Sequence, residues 1–298
     1  MLMTAQQQFE IALTPIESVD GWAEKTIKVL KERYHLLGLP PQAYTFEQSE
    51  NTLIVKVKSD HDPVAMLHIS SASGIFRTLS VHKFDDPDGL RIYEAFSKAK
   101  VRKGDQLVGL SAVFNLNSFT ISEYKFRRYP PAVLGMTTAN NIKAVNKYLQ
   151  TNTHLKSILP SGSRFCWART KNRLHKDYYD LYLVDFTDEK GVLNEELKDV
   201  KVITKANHFG RVRDLLSVTY AAEGKEKLKA ASAQNVEREM VVLIDNHVMT
   251  APLVKGPIET GELEIEGSFT DNEAALYRRI ITDLKLPVEL RAEITMSE

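Results

Sequence analysis

Phe9, Ile11 and Leu13 alternate with Glu10 and Ala12, the period of a strand with one buried face. After Asp20 the period changes. Ala23, Ile27, Leu30, Tyr34 and Leu37 recur every three or four residues, which predicts a helix stopped by Gly38 and the Pro40-Pro41 pair. A hairpin follows: Tyr44 to Gln48, a polar turn at Ser49-Glu50-Asn51, then Leu53, Val55 and Val57 alternating with Ile54, Lys56 and Lys58. Asp62 before Pro63 predicts an N-cap and the first residue of a second helix running to about Ile69. Ile75 to Phe84 has strand character again. Residues 9 to 84 therefore read strand, helix, strand, strand, helix, strand, the order of a ferredoxin-like sandwich within an α+β fold.

Beyond this point the pattern is less regular. Between 85 and 140, DDPDG is a turn cluster, Ile92 to Lys100 has helical spacing, and LVGLSAVFNLNSF mixes alternating and continuous apolar runs. Asn140 to Leu149 predicts a helix, and Pro160-Ser161-Gly162 breaks the chain before two strands, SRFCWAR and YYDLYLVDF. A helix over about 221–236, a strand ending in an Asp245-Asn246 turn, a helix over 271–284 and a closing strand over 288–294 complete the chain. Thr270 and Glu273 form a T-x-x-E capping box, with Phe269 placed as its staple. Behind them Ala274, Tyr277, Ile281 and Leu284 form one helical stripe.

Composition narrows the functional classes. Of 298 residues, 43% are apolar and 26% charged, the profile of a globular chain long enough for two modest domains. The 39 basic and 39 acidic residues cancel, so no overall field recruits nucleic acid or an anionic membrane. Cys166 is the single cysteine, which excludes an internal disulfide. No run of about 18 uncharged apolar residues exists, and the first twenty residues lack the pattern of an export signal. The expectation is a chain without a membrane span or export signal of its own.

Signatures of phosphate loops, zinc proteases, nucleophile elbows and dinucleotide sites are missing, which lowers the expectation of an enzyme without excluding a spatially assembled site. Asp60-His61-Asp62 carries metal-ligand chemistry, but Asp62 is needed as a cap and neighbouring residues seldom converge on one ion. Cys166, between Phe165 and Trp167, reads as a small buried hydrophobe. Lys125, Arg127 and Arg128 among Tyr124, Phe126 and Tyr129, together with RTKNRLHK, offer phosphate contacts and stacking surfaces; the neutral total charge favours strand edges protected by cations. Glu262, Glu264 and Glu266 alternate with Leu263 and Ile265, placing the carboxylates on the wet face of a strand, with Glu259 just upstream.

The string MVVLIDNHVMTAPLVKGPIETGELEIEGSFTDNEA, followed by LKLPVEL, resembles the first large extracytoplasmic domain of the protein-export translocase subunit SecD, including the SecD half of fused SecDF proteins. The resemblance rests on Asp245-Asn246, Thr250-Ala251-Pro252, Ile258 with Gly261, Ile265, Gly267-Ser268-Phe269-Thr270, Glu273-Ala274 and Leu286-Pro287. Upstream, VTYAAEGKEKLKAASAQNV is similar to the family's preceding helix and ILPSGSRFCWAR with YYDLYLVD to its aromatic strands. The opening helix, Leu-Gly break and hairpin near the N-terminus also match, leaving about 85–140 uncovered. Asn246 stands for a turn glycine, Glu237-Arg238-Glu239 for a Gly-Lys passage and Leu284 for a glycine.

The resemblance implies a base subdomain over 1–84, completed by a return strand at 286–298, and a head over 85–285, with 155–285 its SecD-like part. It also implies a non-enzymatic role without metal or cofactor: holding an emerging unfolded polypeptide and hinging between base and head, beside membrane subunits of the Sec translocon. No nucleic acid and no small-molecule substrate are expected. The contact residues expected on this basis are Pro252, Leu253, Val254, Pro257, Ile258 and Phe269. The family's membrane helices, and the acidic membrane residue tied to proton coupling, are not in this sequence. The chain then corresponds to a soluble portion at the extracytoplasmic face of the cytoplasmic membrane, or to a freestanding, cytoplasmic interaction module of the same fold unrelated to export.

Overall fold

The computed structural model describes residues 7–17, 19–82, 87–103, 105–116, 132–171, 177–187, 194–206, 212–266, 269–270 and 272–296. It is a mixed α/β chain that divides into two compact units. Unit 1 comprises Met1–Phe76, Asn194–Tyr220 and Glu262–Glu298; unit 2 comprises Arg77–Leu193 and Ala221–Gly261. The basic stretch around Lys125, Arg127 and Arg128, most of RTKNRLHK, and Gly267-Ser268 lie outside the described residues.

Unit 1 contains a four-stranded antiparallel sheet built from β1 (Gln7–Pro15), β2 (Tyr44–Ser49), β3 (Thr52–Ser59) and β16 (Leu290–Met296), in the order β16-β1-β3-β2. The pairing aligns the apolar positions into rows. Ile294, Ile11, Val55 and Phe46 stand side by side, as do Met296, Phe9, Val57 and Tyr44. Leu13, Leu53 and Val55 are fully buried, and each such side chain contributes about 1.5–3 kcal/mol to folding. Helix α1 (Trp22–Leu36) and helix α2 (Pro63–Ser71) lie on this apolar side. Gly38 ends α1 at φ 87°, and the Asp62 carboxylate accepts from the amides of Val64 and Ala65 at 3.0 Å, the cap that the sequence predicts.

One strand belongs elsewhere than expected. β4 (Phe76–Ser80), inside the expected 75–84 strand, joins the sheet of unit 2, and the fourth place beside β1 is taken by β16. The reason is physical: a period of two tells which side chains are buried, but not which distant strand covers the backbone. The closing strand also begins two residues later than expected, at Leu290.

A second, three-stranded sheet in unit 1 joins β11 (Leu197–Ala206), β12 (Val212–Tyr220) and β15 (Glu262–Ile265), with helix α7 (Glu273–Thr282) against it. The Glu273 carboxylate accepts from the Thr270 amide at 2.7 Å, the returning half of a capping box, and Phe269 packs on Tyr277 at 5.8 Å between ring centroids. Arg33 of α1 is fully buried and donates to the carbonyls of Ile69, Ala72 and Leu284 at 2.6–2.8 Å. Its planar fork meets the carbonyl-rich ends of α2 and α7, where a cation is favoured.

Unit 2 is organised by a seven-stranded sheet, ordered β4-β13-β14-β9-β10-β8-β7. Its further strands are β7 (Asn115–Leu116), β8 (Val133–Thr138), β9 (Ser163–Lys171), β10 (Tyr178–Asp185), β13 (Met240–Ile244) and β14 (His247–Thr250). β14 and β9 pair in parallel, His247 opposite Trp167. Leu79, Cys166, Val184, Val241 and Leu243 share one core cluster. Helices α3 (Pro87–Ser97), α4 (Ala139–Thr151), α5 (Thr153–Ile158) and α6 (Ala222–Gln234), with the hairpin of β5 (Lys100–Lys103) and β6 (Gln106–Gly109), complete the unit. α3 begins upstream of the expected Ile92. At the β13–β14 turn the left-handed residue is Asp245, φ 56°, rather than Asn246; aspartate shares with asparagine a short polar side chain that tolerates this conformation.

Candidate functional site

The stretch after β14 is held by backbone hydrogen bonds. Pro252 has no N–H to offer, and its carbonyl accepts from Met240 at 3.1 Å; Val254 donates to the Arg238 carbonyl and accepts from Glu237, both at 2.8 Å. Residues 252–254 thus run antiparallel beside 237–240. Glu237, in the passage where the resemblance has Gly-Lys, adopts φ 63°, whereas Leu284, which stands for another glycine, is not among the residues with positive φ.

The segment then turns along α6. The Ser232 hydroxyl accepts from the Ile258 amide at 2.8 Å, Lys229 meets Glu259 at 3.2 Å, and Gly261 (φ 71°) lies against the stem of Lys225. Pro252 and Pro257 are exposed, Leu253 and Ile258 are half-buried, and Val254 is buried. A ridge of two prolines and two aliphatic side chains is therefore presented to solvent from a backbone pinned on both sides. Such a surface is suited to shallow apolar contact.

Of the six expected contact residues, five lie on this segment of unit 2. Val254 points into the core rather than out of it. Phe269 belongs to unit 1, half-buried against Tyr277. The Ser232 hydroxyl, which sets the path of the segment, has no signature in the sequence. A serine inside a helix is legible only as a weak helix former.

The groups with catalytic potential are placed as follows. Cys166 is buried, and burial pushes its thiol up to about 12, the behaviour of a structural cysteine. His247 is held down to about 4, first by burial and then by the charge of the buried Arg169. Asp62 is engaged as a helix cap, and among the described residues no group of three or more His, Cys, Asp or Glu could hold a metal ion. A cavity of about 610 Å³ in unit 2 is lined by Arg91, Glu94, Lys98, Tyr148 and His154. A groove of about 620 Å³ in unit 1 runs between β11 and α7.

Residues 182–285 match the family model described as SecDF, P1 head subdomain. A stretch of 100 residues is 31% identical to protein translocase subunit SecDF of Thermus thermophilus, covering 33% of this chain and 13% of that protein. Another of 111 residues is 31% identical to protein translocase subunit SecD of Acidaminococcus fermentans, covering 36% of this chain and 26% of that protein. The matches thus span about a quarter or less of these relatives. A solved structure described as "Structure and function of a membrane component SecDF that enhances protein export" overlays with a TM-score of 0.37 at 18% identity, covering 97% of this chain and 98% of that one. Residues 182–285 thus carry the SecDF P1 head pattern, and over about a third of its length this chain is similar to the SecD and SecDF translocase subunits.

Proposed function

We propose that the chain is a SecD-like extracytoplasmic domain that assists Sec-dependent protein export by binding emerging unfolded polypeptide and hinging between a base and a head. The match of residues 182–285 to the SecDF head carries this reading. The role is non-enzymatic and needs no cofactor, and its partners are the exported chain and membrane subunits of the translocon. The ferredoxin-like base of this proposal is the four-stranded sheet, in which β16 returns to lie beside β1 and two helices cover one face. The head of the proposal is 85–285, although 194–220 and 262–285 cluster with unit 1. Among the described residues no helix is long and apolar enough to cross a membrane.

The ridge of Pro252, Leu253, Pro257 and Ile258 supports polypeptide capture, because unfolded substrates share apolar side chains and backbone but no sequence. Purified chain is expected to bind an unfolded, reduced export precursor and not its folded form. Leu253→Asp with Ile258→Asp should weaken that binding severalfold, read by fluorescence anisotropy. No binding at high micromolar concentration would remove the reading, and a single narrow distance between spin labels in base and head would remove the hinge.

A further inference from the structure

Among the described residues, unit 1 leaves one long sheet edge open. β11 spans ten residues and pairs with β12 on one side; among the described residues no strand or loop backbone pairs with the other. Proteins usually shorten or cover such edges, because each unpaired N–H and C=O is a template for another chain. Here the start of the edge faces α7 and the turn after it, and the groove of about 620 Å³ lies between them. Val200 and Ile281, both buried, form an apolar floor. An edge strand beside a helix is an arrangement into which an extended peptide can be laid as an added strand.

Charge selects among such peptides. Two carboxylates line the groove and both are already engaged: Lys201 holds Asp199 at 2.6 Å, and Arg279 holds Asp283 through two contacts of 2.8 and 2.9 Å. These hydrogen bonds keep both carboxyls below the usual carboxylate range. The exposed Lys198, Arg278 and Lys285 line the same groove without an ion pair among the described residues. An acidic side chain on the guest would meet an excess of cations, of which Arg278 also feels the Asp199 and Asp283 carboxylates and Lys198 and Lys285 are the more available. A nucleic acid would satisfy those cations but offers no regular row of donors and acceptors for the strand edge.

We propose that the groove between the free edge of β11 and α7 binds an extended polypeptide segment with acidic side chains, adding it to the sheet as a strand. The class of ligand rests on the polypeptide-binding reading above, but the place is separate from the Pro252–Ile258 segment of unit 2.

The test uses the full chain and two labelled ten-residue peptides of alternating Val and Thr, one carrying two Glu and the other Gln at those positions. The Glu peptide is expected to bind roughly fivefold to tenfold more tightly, as two exposed ion pairs allow. Its binding should slow hydrogen exchange of the 197–206 amides. Lys198→Glu with Arg278→Glu should abolish the preference, while Leu253→Asp with Ile258→Asp should leave it intact. Equal affinity for the two peptides, protection outside β11, or equal competition by a single-stranded oligonucleotide overturns the proposal. Peptide binding lost only in the Leu253 and Ile258 variant also overturns it while sparing the proposed function. Absence of binding to both peptides and the unfolded precursor overturns both.

Discussion

Gly74 lies between α2 and β4 with φ +84°, and a Cβ placed on it would fall 2.1 Å from the Ile280 carbonyl oxygen and 3.0 Å from its carbon. Gly74→Ala therefore carries two penalties. The left-handed backbone costs an L-residue about 1–2 kcal/mol. The contact is with helix backbone, which cannot swing aside as a flexible side chain would, so α7 must shift at an overpacking cost of about 1–3 kcal/mol. Loss of glycine's freedom in the unfolded chain returns about 0.4–1 kcal/mol. The net expectation is a loss of about 1–4.6 kcal/mol, a large part of a typical stability of about 5–15 kcal/mol.

The chain has two tryptophans, buried Trp22 in unit 1 and buried Trp167 in unit 2, so Trp22 emission in a Trp167→Phe background follows unit 1 through a urea titration. With a slope of about 2 kcal/mol per molar urea, the midpoint should fall by roughly 0.5–2.3 M. Gly21→Ala provides the internal comparison: Gly21 has φ +68° with nothing within 4 Å of its Cβ position, so it carries the backbone penalty alone. Equal shifts in the two variants would refute the steric half of the reasoning. An unchanged midpoint in Gly74→Ala would refute all of it.

Arg33→Met should destabilise unit 1 by about 2–4 kcal/mol on the same Trp22 assay, because it leaves the Ile69, Ala72 and Leu284 carbonyls without that donor; a neutral result would mean that relief of guanidinium desolvation cancels the loss. Asn194→Ala removes an acceptor for the Phe76 amide and a donor to Gly74 and Ile281, a loss of about 1.5–4.5 kcal/mol at about 0.5–1.5 per bond, and a urea midpoint within error of the parent would contradict it. Since the His247 ring is held from 6.5 down to about 4, the unfolded chain takes up a proton in this window that the folded chain refuses. The stability it contributes is present above pH 6.5 and is lost as the pH falls toward 4. His247→Gln should flatten that limb of the Trp167 unfolding curve, and an unaltered limb would count against the assignment.

Local chemistry was legible in the sequence. The stripe of α1, the β2–β3 hairpin, the Asp62 cap and the return contact of Glu273 to Thr270 involve neighbours within a turn or a hairpin, where periodicity and capping rules act directly. The apolar-and-proline character of 252–258 was equally visible, as was the order of motifs that pointed to SecD. That Val254 turns inward was not, since its direction is set by hydrogen bonds to 237–240.

The amino-acid sequence by itself determined which faces must be buried and, at α1 and α2, where a helix starts and stops. Only the tertiary structure decided the partners: β16 rather than β4 beside β1, β14 parallel to β9, and Arg33 beneath three carbonyls from two distant helix ends. The same holds for the groove, whose two walls lie about eighty residues apart in the chain. An alternating strand presents identical donors and acceptors to any neighbour. The choice among neighbours is made by total burial and by loop closure, which no short window of residues contains.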